Sequence, residues 1–374
     1  MNARKILQPF YRKEYAKAIA KKIHKLAKEL KQTGLDEIKI MHVCGTHEHT
    51  ITYYGIRYQL PEMINLIAGP GCPVCVVPAR EIDEAIKLSE DDIEILTYGD
   101  MYKVPGTSKS LAKAKTEGAK VGIVYGFLDA INIALKNPNN KYVFFAVGFE
   151  TTAPTVASHV VEGTIPENLS LLVSYRITVP IVKYVFARKK HNLKGVIAPG
   201  HVSAITGSLA WKFIEEKHGI PVVVAGFEPL DVLYAIYKIL ESLKKGTPQL
   251  INEYSRVVKP EGNLIAKRYI AEAFDTVDGA WRGIGIIPKS AWILKDKFRQ
   301  LDARKVYDIE IPKSVDTRPG CLCAEVVLGE AIPTDCPLFM TACTPENPYG
   351  PCMVSSEGTC SIWARYGGRE PLKR

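Results

Sequence analysis

From residue 37 to about 245, short apolar runs rich in β-branched residues alternate with stretches of helical periodicity. That alternation narrows the fold more than any other feature. The runs are "IKIMHVC" (38–44), "INLIAGPG" (64–71), "IEILTYGD" (93–100), "KVGIVYG" (120–126), "YVFFAVGFE" (142–150), "LSLLVSYR" (169–176), "GVIAPGH" (195–201) and "PVVVAGFE" (221–228). Several are continuously apolar, as a strand must be when helices cover both its faces. The helical stretches between them include 81–88, 108–117, 128–136, 203–216 and 230–243. Alternation of this kind predicts an α/β fold with mostly parallel sheets and right-handed crossovers.

A chain of 374 residues suits two or three domains, and two smaller sheets are expected rather than one of eight strands. An echo hints at duplication: "AVGFETTAPTVA" (146–157) and "VAGFEPLDVLYA" (224–235) both leave a strand through Gly-Phe-Glu and enter a helix. Beyond about 250 the pattern breaks into prolines, glycines and cysteines, a composition that suits a small unit held by something other than a large apolar core. The expected division is a basic amphipathic helix (1–36), an α/β domain (37–145), a second α/β domain (146–250) and a cysteine-rich C-terminal domain (251–374).

Charge is local. Residues 1–32 carry ten Lys/Arg against Glu14 and Glu29, which accounts for eight of the net +9. Within them Tyr15, Ile19, Ile23, Leu26 and Leu30 stand at helical spacing, so 11–32 reads as a solvated amphipathic helix. The alternative is a basic docking face for an acidic partner. No aromatic-interleaved basic strand accompanies it, and nucleic acid is not expected as a partner. No apolar run approaches the roughly 20 residues that span a bilayer, and the first ten residues lack a signal peptide's apolar core. A cytoplasmic protein without membrane attachment is expected.

Nine cysteines in such a chain point to metal or redox chemistry. Cys44, Cys72 and Cys75 lie in the first quarter; Cys321, Cys323, Cys336, Cys343, Cys352 and Cys360 crowd the last 54 residues. In "MHVCGTHEHT" (41–50), Cys44 and His47 stand three apart, a spacing that suits zinc, iron, or a thiolate beside an imidazole. "GCPVC" (71–75) precedes a helix expected near Pro78. Its pair could cycle between dithiol and disulfide, or supply half a zinc site. The C-terminal six suit an iron–sulfur cluster, with structural zinc as the alternative. Cys321 and Cys323 are too close in sequence for both to serve one small tetrahedral site without strain.

Ligands of open parallel sheets bind outside the carboxyl ends of the strands. Cys44, His47, Cys72, Cys75, Glu150 and His201 all follow expected strands, so a shared cleft is predicted. Glu150 and His201 are candidate functional residues of that cleft. Thr151 and Thr152 could equally cap the next helix. His42 and His49 are weaker candidates.

Five stretches, "CGTHEHT" (44–50), "GPGCPVCVVP" (69–78), "GFETTAPT" (148–155), "PGHVSAITG" (199–207) and "CTPENPYGPCMVSSEGTC" (343–360), together resemble the HypD family of [NiFe]-hydrogenase maturation factors. The resemblance runs in consistent order from about 40 to 365. It implies two similar α/β domains facing a cleft, plus a domain with a [4Fe–4S] cluster. The implied function is a scaffold that works with HypC, receives cyanide from a HypE thiocyanate, and assembles an Fe(CN)2CO unit. By motif, the cluster ligands fall on Cys321, Cys336, Cys343 and Cys360, and the unit's iron on Cys44. Cys323 and Cys352 remain as an implied redox pair, resembling the arrangement in ferredoxin:thioredoxin reductase and suggesting an electron route towards Cys72 and Cys75. His47 would be a hydrogen-bond donor or proton shuttle beside the iron. Two other functions stay open: a stand-alone iron–sulfur disulfide oxidoreductase, and a zinc-stapled binding protein.

Overall fold

The computed structural model describes residues 8–188 and 191–368. Arg4 and Lys5 of the expected basic segment lie outside them. Among the described residues, eleven strands form two sheets. They are β1 (Ile38–His42), β2 (Ile64–Ala68), β3 (Glu94–Thr97), β4 (Val121–Ile123), β5 (Tyr142–Gly148), β6 (Leu169–Arg176), β7 (Leu193–Pro199), β8 (Val222–Ala225), β9 (Leu250–Asn252), β10 (Phe274–Trp281) and β11 (Gly285–Leu294). The first eight fall on the eight apolar runs. The last three do not: β9 is short and half-buried, and β10–β11 is a hairpin with many exposed positions, so none has a strong apolar signature.

The first sheet runs β2-β1-β7-β8-β9, all parallel; the second runs β10-β11-β6-β5-β3-β4, in which β11 is antiparallel to both β10 and β6 and the other pairings are parallel. Both sheets share a plan. The first strand is interior, the second pairs on one side of it, and the third and fourth build out on the other. Two α/β units of like topology are therefore present, but they are not successive in sequence. The chain starts the first sheet, builds the parallel part of the second, returns for β7–β9, and ends with the hairpin. Each of the stretches 37–145 and 146–250 supplies strands to both sheets, and 251–374 opens by completing the second. The Gly-Phe-Glu echo also falls on unlike positions, after the third strand of one sheet (β5) and the fourth of the other (β8).

Alternation along the strands divides the core. Met41, Val43, Phe145, Val196 and Val224 point into one shared core. Their sequence neighbours point outward, Phe144 beneath the helices of the second sheet and Ile40, Ile197 and Val223 beneath those of the first. The shared core also contains Cys323, Cys343, Cys352 and Cys360. The cysteine-rich segment is thus packed against both units rather than folded apart from them. The N-terminal helix spans Lys13–Gln32 and buries Ile23, Ala27 and Leu30, leaving its lysines exposed. Burying an isoleucine or leucine side chain such as Ile23 or Leu30 contributes about 1.5–3 kcal/mol. Among the described residues, no helix is long and apolar enough to cross a membrane.

Candidate functional site

In the first sheet β1 continues to β2 on one side and pairs with β7 on the other; in the second, β3 stands likewise between β4 and β5. These are the points where strand order reverses, and where open α/β sheets form ligand crevices. Cys44 leaves β1 in extended conformation (φ −161°) and caps the helix Gly45–Tyr53. His201 leaves β7, and Asp100 follows β3 in the short helix Gly99–Lys103.

The loop after β2 is pressed against Cys44. Gly71 accepts a backbone hydrogen bond from Gly45 (3.3 Å), and a Cβ at Gly71 would stand 2.4 Å from Cys44 Cα, so no side chain fits there. Cys72 follows at once and forms a disulfide with Cys75, just ahead of the helix Ala79–Glu90. The other seven cysteines are free.

From the opposite side comes the loop 355–357 of the cysteine-rich segment. A Cβ at Gly45 would lie 2.4 Å from the Glu357 carbonyl oxygen, so this glycine too is required by close approach. Asp100 Oδ2 accepts hydrogen bonds from Ser356 N (2.9 Å), Ser356 Oγ (2.9 Å) and Ser355 Oγ (3.1 Å). One loop therefore ties the reversal point of the second sheet to that of the first. Burial and the neighbouring Asp100 push the Glu357 carboxyl up to about 7, against a hydrogen bond from the Thr46 side chain that lowers it. Burial, then the charge of Glu357, raises the Cys44 thiol to about 12, although the amides of His47 and Thr46 and the Thr46 hydroxyl point at its sulfur.

His47 is wholly buried. Its Nε2 donates to the Gly226 carbonyl (2.8 Å), which leaves Nδ1 as an acceptor, and that atom has no partner. Burial and the neighbouring His42 lower its pKa to about 3. The ring is thus neutral at pH 7, and its surroundings do not favour proton exchange there. His47 and His201 stack on Phe227, at 4.8 and 3.9 Å between ring centres. His201 is exposed, and burial of part of its ring lowers its pKa. Sequence reasoning passed over Phe227, although it stands in a Gly-Phe-Glu strand end.

Glu150 has a different setting. Its two oxygens accept Thr178 N (2.8 Å) and Thr178 Oγ1 (2.7 Å), and burial raises its pKa. It lines a cavity of about 320 Å³ together with Ile205, Lys267, Phe274 and Trp292. Thr152 occupies the N-cap of the helix Ala153–Glu162 without a side-chain capping bond; its hydroxyl donates to the Phe149 carbonyl instead.

The two weaker histidines serve structure. His42 Nε2 meets Glu48 Oε2 at 2.8 Å. Glu48 also accepts Arg57 Nη2 (2.7 Å), Arg57 Nη1 (2.8 Å), Thr52 Oγ1 (2.6 Å) and Trp363 Nε1 (2.8 Å). His49 stacks on Tyr53 and meets Tyr366 edge-on. These contacts fasten the helix carrying the Cys44 motif to the helix Thr359–Tyr366, which carries Cys360.

The C-terminal thiols converge. Cys321 touches Cys323, Cys323 touches Cys352 and Cys352 touches Cys360, while Cys343 lies within electrostatic reach of Cys321 and Cys336. Among the described residues, no three His, Cys, Asp or Glu side chains are gathered as a site for a metal ion. Cys75 Sγ lies 4.0 Å from the carbonyl oxygen of Pro351, the residue before Cys352. Glu357, Asp100 and the serines between them were not singled out from sequence, although Glu357 and the serines lie inside "MVSSEGTC" and Asp100 ends a strand run.

Comparison with known proteins shows what the chain is similar to. A family model described as "HypD: Hydrogenase formation hypA family" matches residues 14–367. A putative hydrogenase expression/formation protein of Methanocaldococcus jannaschii is 46% identical over 349 residues, covering 92% of this chain and 95% of the relative. Hydrogenase maturation factor HypD2 of Bradyrhizobium diazoefficiens is 40% identical, with 97% of each chain covered. Hydrogenase maturation factor HypD of Escherichia coli is 38% identical, covering 92% of this chain and 93% of the relative.

Proposed function

The chain belongs to the HypD family of hydrogenase maturation factors, and from that premise we propose that it is the scaffold on which an iron carrying cyanide and carbon monoxide is assembled. HypC shares the iron, and HypE delivers the cyanide. The observation that carries the reading is the free Cys44 thiol at the reversal point of one sheet, with a disulfide-forming pair beside it and the 355–357 loop closing over it. A soft iron with cyanide and carbonyl ligands prefers thiolate. Cys44 supplies one; the partner supplies another.

Passing cyanide from a thiocyanate sulfur to iron breaks a C–S bond, forms an Fe–C bond, and leaves the sulfur two electrons short. A Cys72/Cys75 dithiol closing to the disulfide supplies both electrons and two protons. One proton returns to the donor thiol; Glu357, whose carboxyl exchanges protons near neutral pH, borders the same cleft to take the other. His47 and His201, both favoured neutral at pH 7, hold the walls around Phe227; His47 donates its one N–H to the Gly226 carbonyl, so His201 is the ring that offers a donor for cyanide nitrogen.

Cys321, Cys336, Cys343 and Cys360 are the proposed ligands of a [4Fe–4S] cluster, which would supply electrons one at a time. The fit rests on the donor set. Six uncrosslinked soft sulfurs converge, and a cluster takes one thiolate per iron, so its ligands need not close on a single ion. Neighbouring Cys323 and Cys352 could pair, and Cys75 packs beside Pro351, a short way from Cys352. A stand-alone disulfide oxidoreductase would use these pairs but would leave Cys44 without a task.

The test is an infrared spectrum of the protein isolated without oxygen together with HypC. Cyanide and carbonyl stretching bands that vanish in Cys44→Ala support the scaffold. An intact, brown protein lacking such bands with all partners present would move the assignment to the oxidoreductase.

A further inference from the structure

Arg282 is a buried cation only partly matched by acceptors. It is 5% exposed, and its Nη1 has no hydrogen-bond partner. Its backbone N–H donates to the carbonyl of Val76, one residue past Cys75 (3.0 Å), and its Nε donates to the Asp316 carbonyl oxygen (2.7 Å). The next residue, Gly283, is packed so closely on the cysteine-rich segment that a Cβ there would stand 3.2 Å from Cβ of Ala324, the neighbour of Cys323. The guanidinium thus lies between the Cys72–Cys75 turn and the C-terminal thiols.

A buried guanidinium needs acceptors for its five donors. The carboxylates nearest it are Asp316 and Asp83, and both are engaged elsewhere. Asp316 accepts Ala79 N (2.8 Å) and Gly283 N (3.1 Å), and Asp83 accepts the Thr107 amide and hydroxyl. The other groups within electrostatic reach of Arg282 are the sulfurs of Cys323 and Cys321. Neutral thiols give a cation little; sulfur carrying negative charge, as in a metal thiolate, gives it a strong acceptor.

We propose that Arg282 is the fixed counter-cation of the C-terminal sulfur site, directing its unpaired Nη1 donor at the sulfurs there and making the site easier to reduce. The inference rests on the cluster reading above. Reduction adds one electron to the site from an external one-electron donor and leaves Arg282 protonated, so no proton moves. A permanent cation beside the added charge stabilises the reduced state, and hydrogen bonds to sulfur act in the same direction. Arg282 is a positioning residue: it acts through the sulfurs and touches no cargo.

The experiment compares oxygen-free wild type, Arg282→Gln and Arg282→Lys by iron and acid-labile sulfide content and by dithionite titration followed by electron paramagnetic resonance. The expected result is cluster in all three. The reduction equilibrium should fall at least about tenfold in Arg282→Gln, about 59 mV for one electron, and stay near wild type in Arg282→Lys. Equal midpoints for wild type and Arg282→Gln overturn the inference. Wild type without iron and sulfide overturns the cluster reading itself, and this is read from composition before any potential is measured. If Arg282→Gln does not fold, wild type labelled with 15N only in arginine guanidino groups decides. A 15N coupling to the reduced cluster supports the assignment, and its absence overturns it.

Discussion

Replacing Glu48 by Gln should cost about 3 kcal/mol of stability at pH 7. The carboxylate is fully buried, and Arg57, Thr52, Trp363 and His42 fill both of its oxygens. Glutamine keeps the shape but turns one acceptor into a donor facing donors, and it leaves the nearly buried Arg57 without its counter-charge. Removing one partner of a buried ion pair costs about 3–5 kcal/mol; the bonds the amide oxygen retains place Glu48→Gln at the lower end. With a urea slope of about 3 kcal/mol per molar, the midpoint followed by tryptophan fluorescence should fall by about 1 M at unchanged slope. The pH dependence has a definite sign. Although burial opposes it, Arg57 and His42 hold the Glu48 pKa well below its ordinary 4.5. The wild-type advantage is therefore fully present above about pH 4.5 and shrinks as pH falls through the lowered folded value. A difference below about 1 kcal/mol at pH 7, or one unaffected by acid, would refute the reasoning.

Two further outcomes are expected. Glu357→Gln removes a negative charge beside Cys44, so the thiol pKa should fall and its alkylation by iodoacetamide at pH 8 should quicken about tenfold. An unchanged rate would leave burial as the whole cause. Protein denatured with iodoacetamide under nitrogen, without reductant, should take up seven labels of a possible nine, rising to nine after reduction. Nine labels before reduction would contradict the Cys72–Cys75 disulfide.

Much of this protein was legible in its sequence. Eight strands came directly from apolar runs, because a strand covered on both faces has no polar positions to blur the pattern. The chemistry of the strand ends was legible for a related reason: packing does not require a cysteine or a histidine at a turn. The loop leading into the Cys72–Cys75 pair presses on Cys44 through Gly71. Their contact is written in the glycines of 69–71 only once it is known that Cys44 Cα stands where the Gly71 side chain would be.

Tertiary structure alone decided the rest. Local periodicity shows that a strand exists but not which sheet it joins, so the interleaving of two units along the chain could not be read from any segment. Burial and partners also divided residues of like chemistry. Of two glutamates, the candidate Glu150 is committed to Thr178, while the overlooked Glu357 reaches Cys44 from more than 300 residues away. His47, expected as a hydrogen-bond donor or proton shuttle, is held neutral by desolvation and the neighbouring His42. A sequence fixes the kinds of groups a chain can bring to a site; charge, hydrogen bonding and access to water depend on neighbours that only folding supplies.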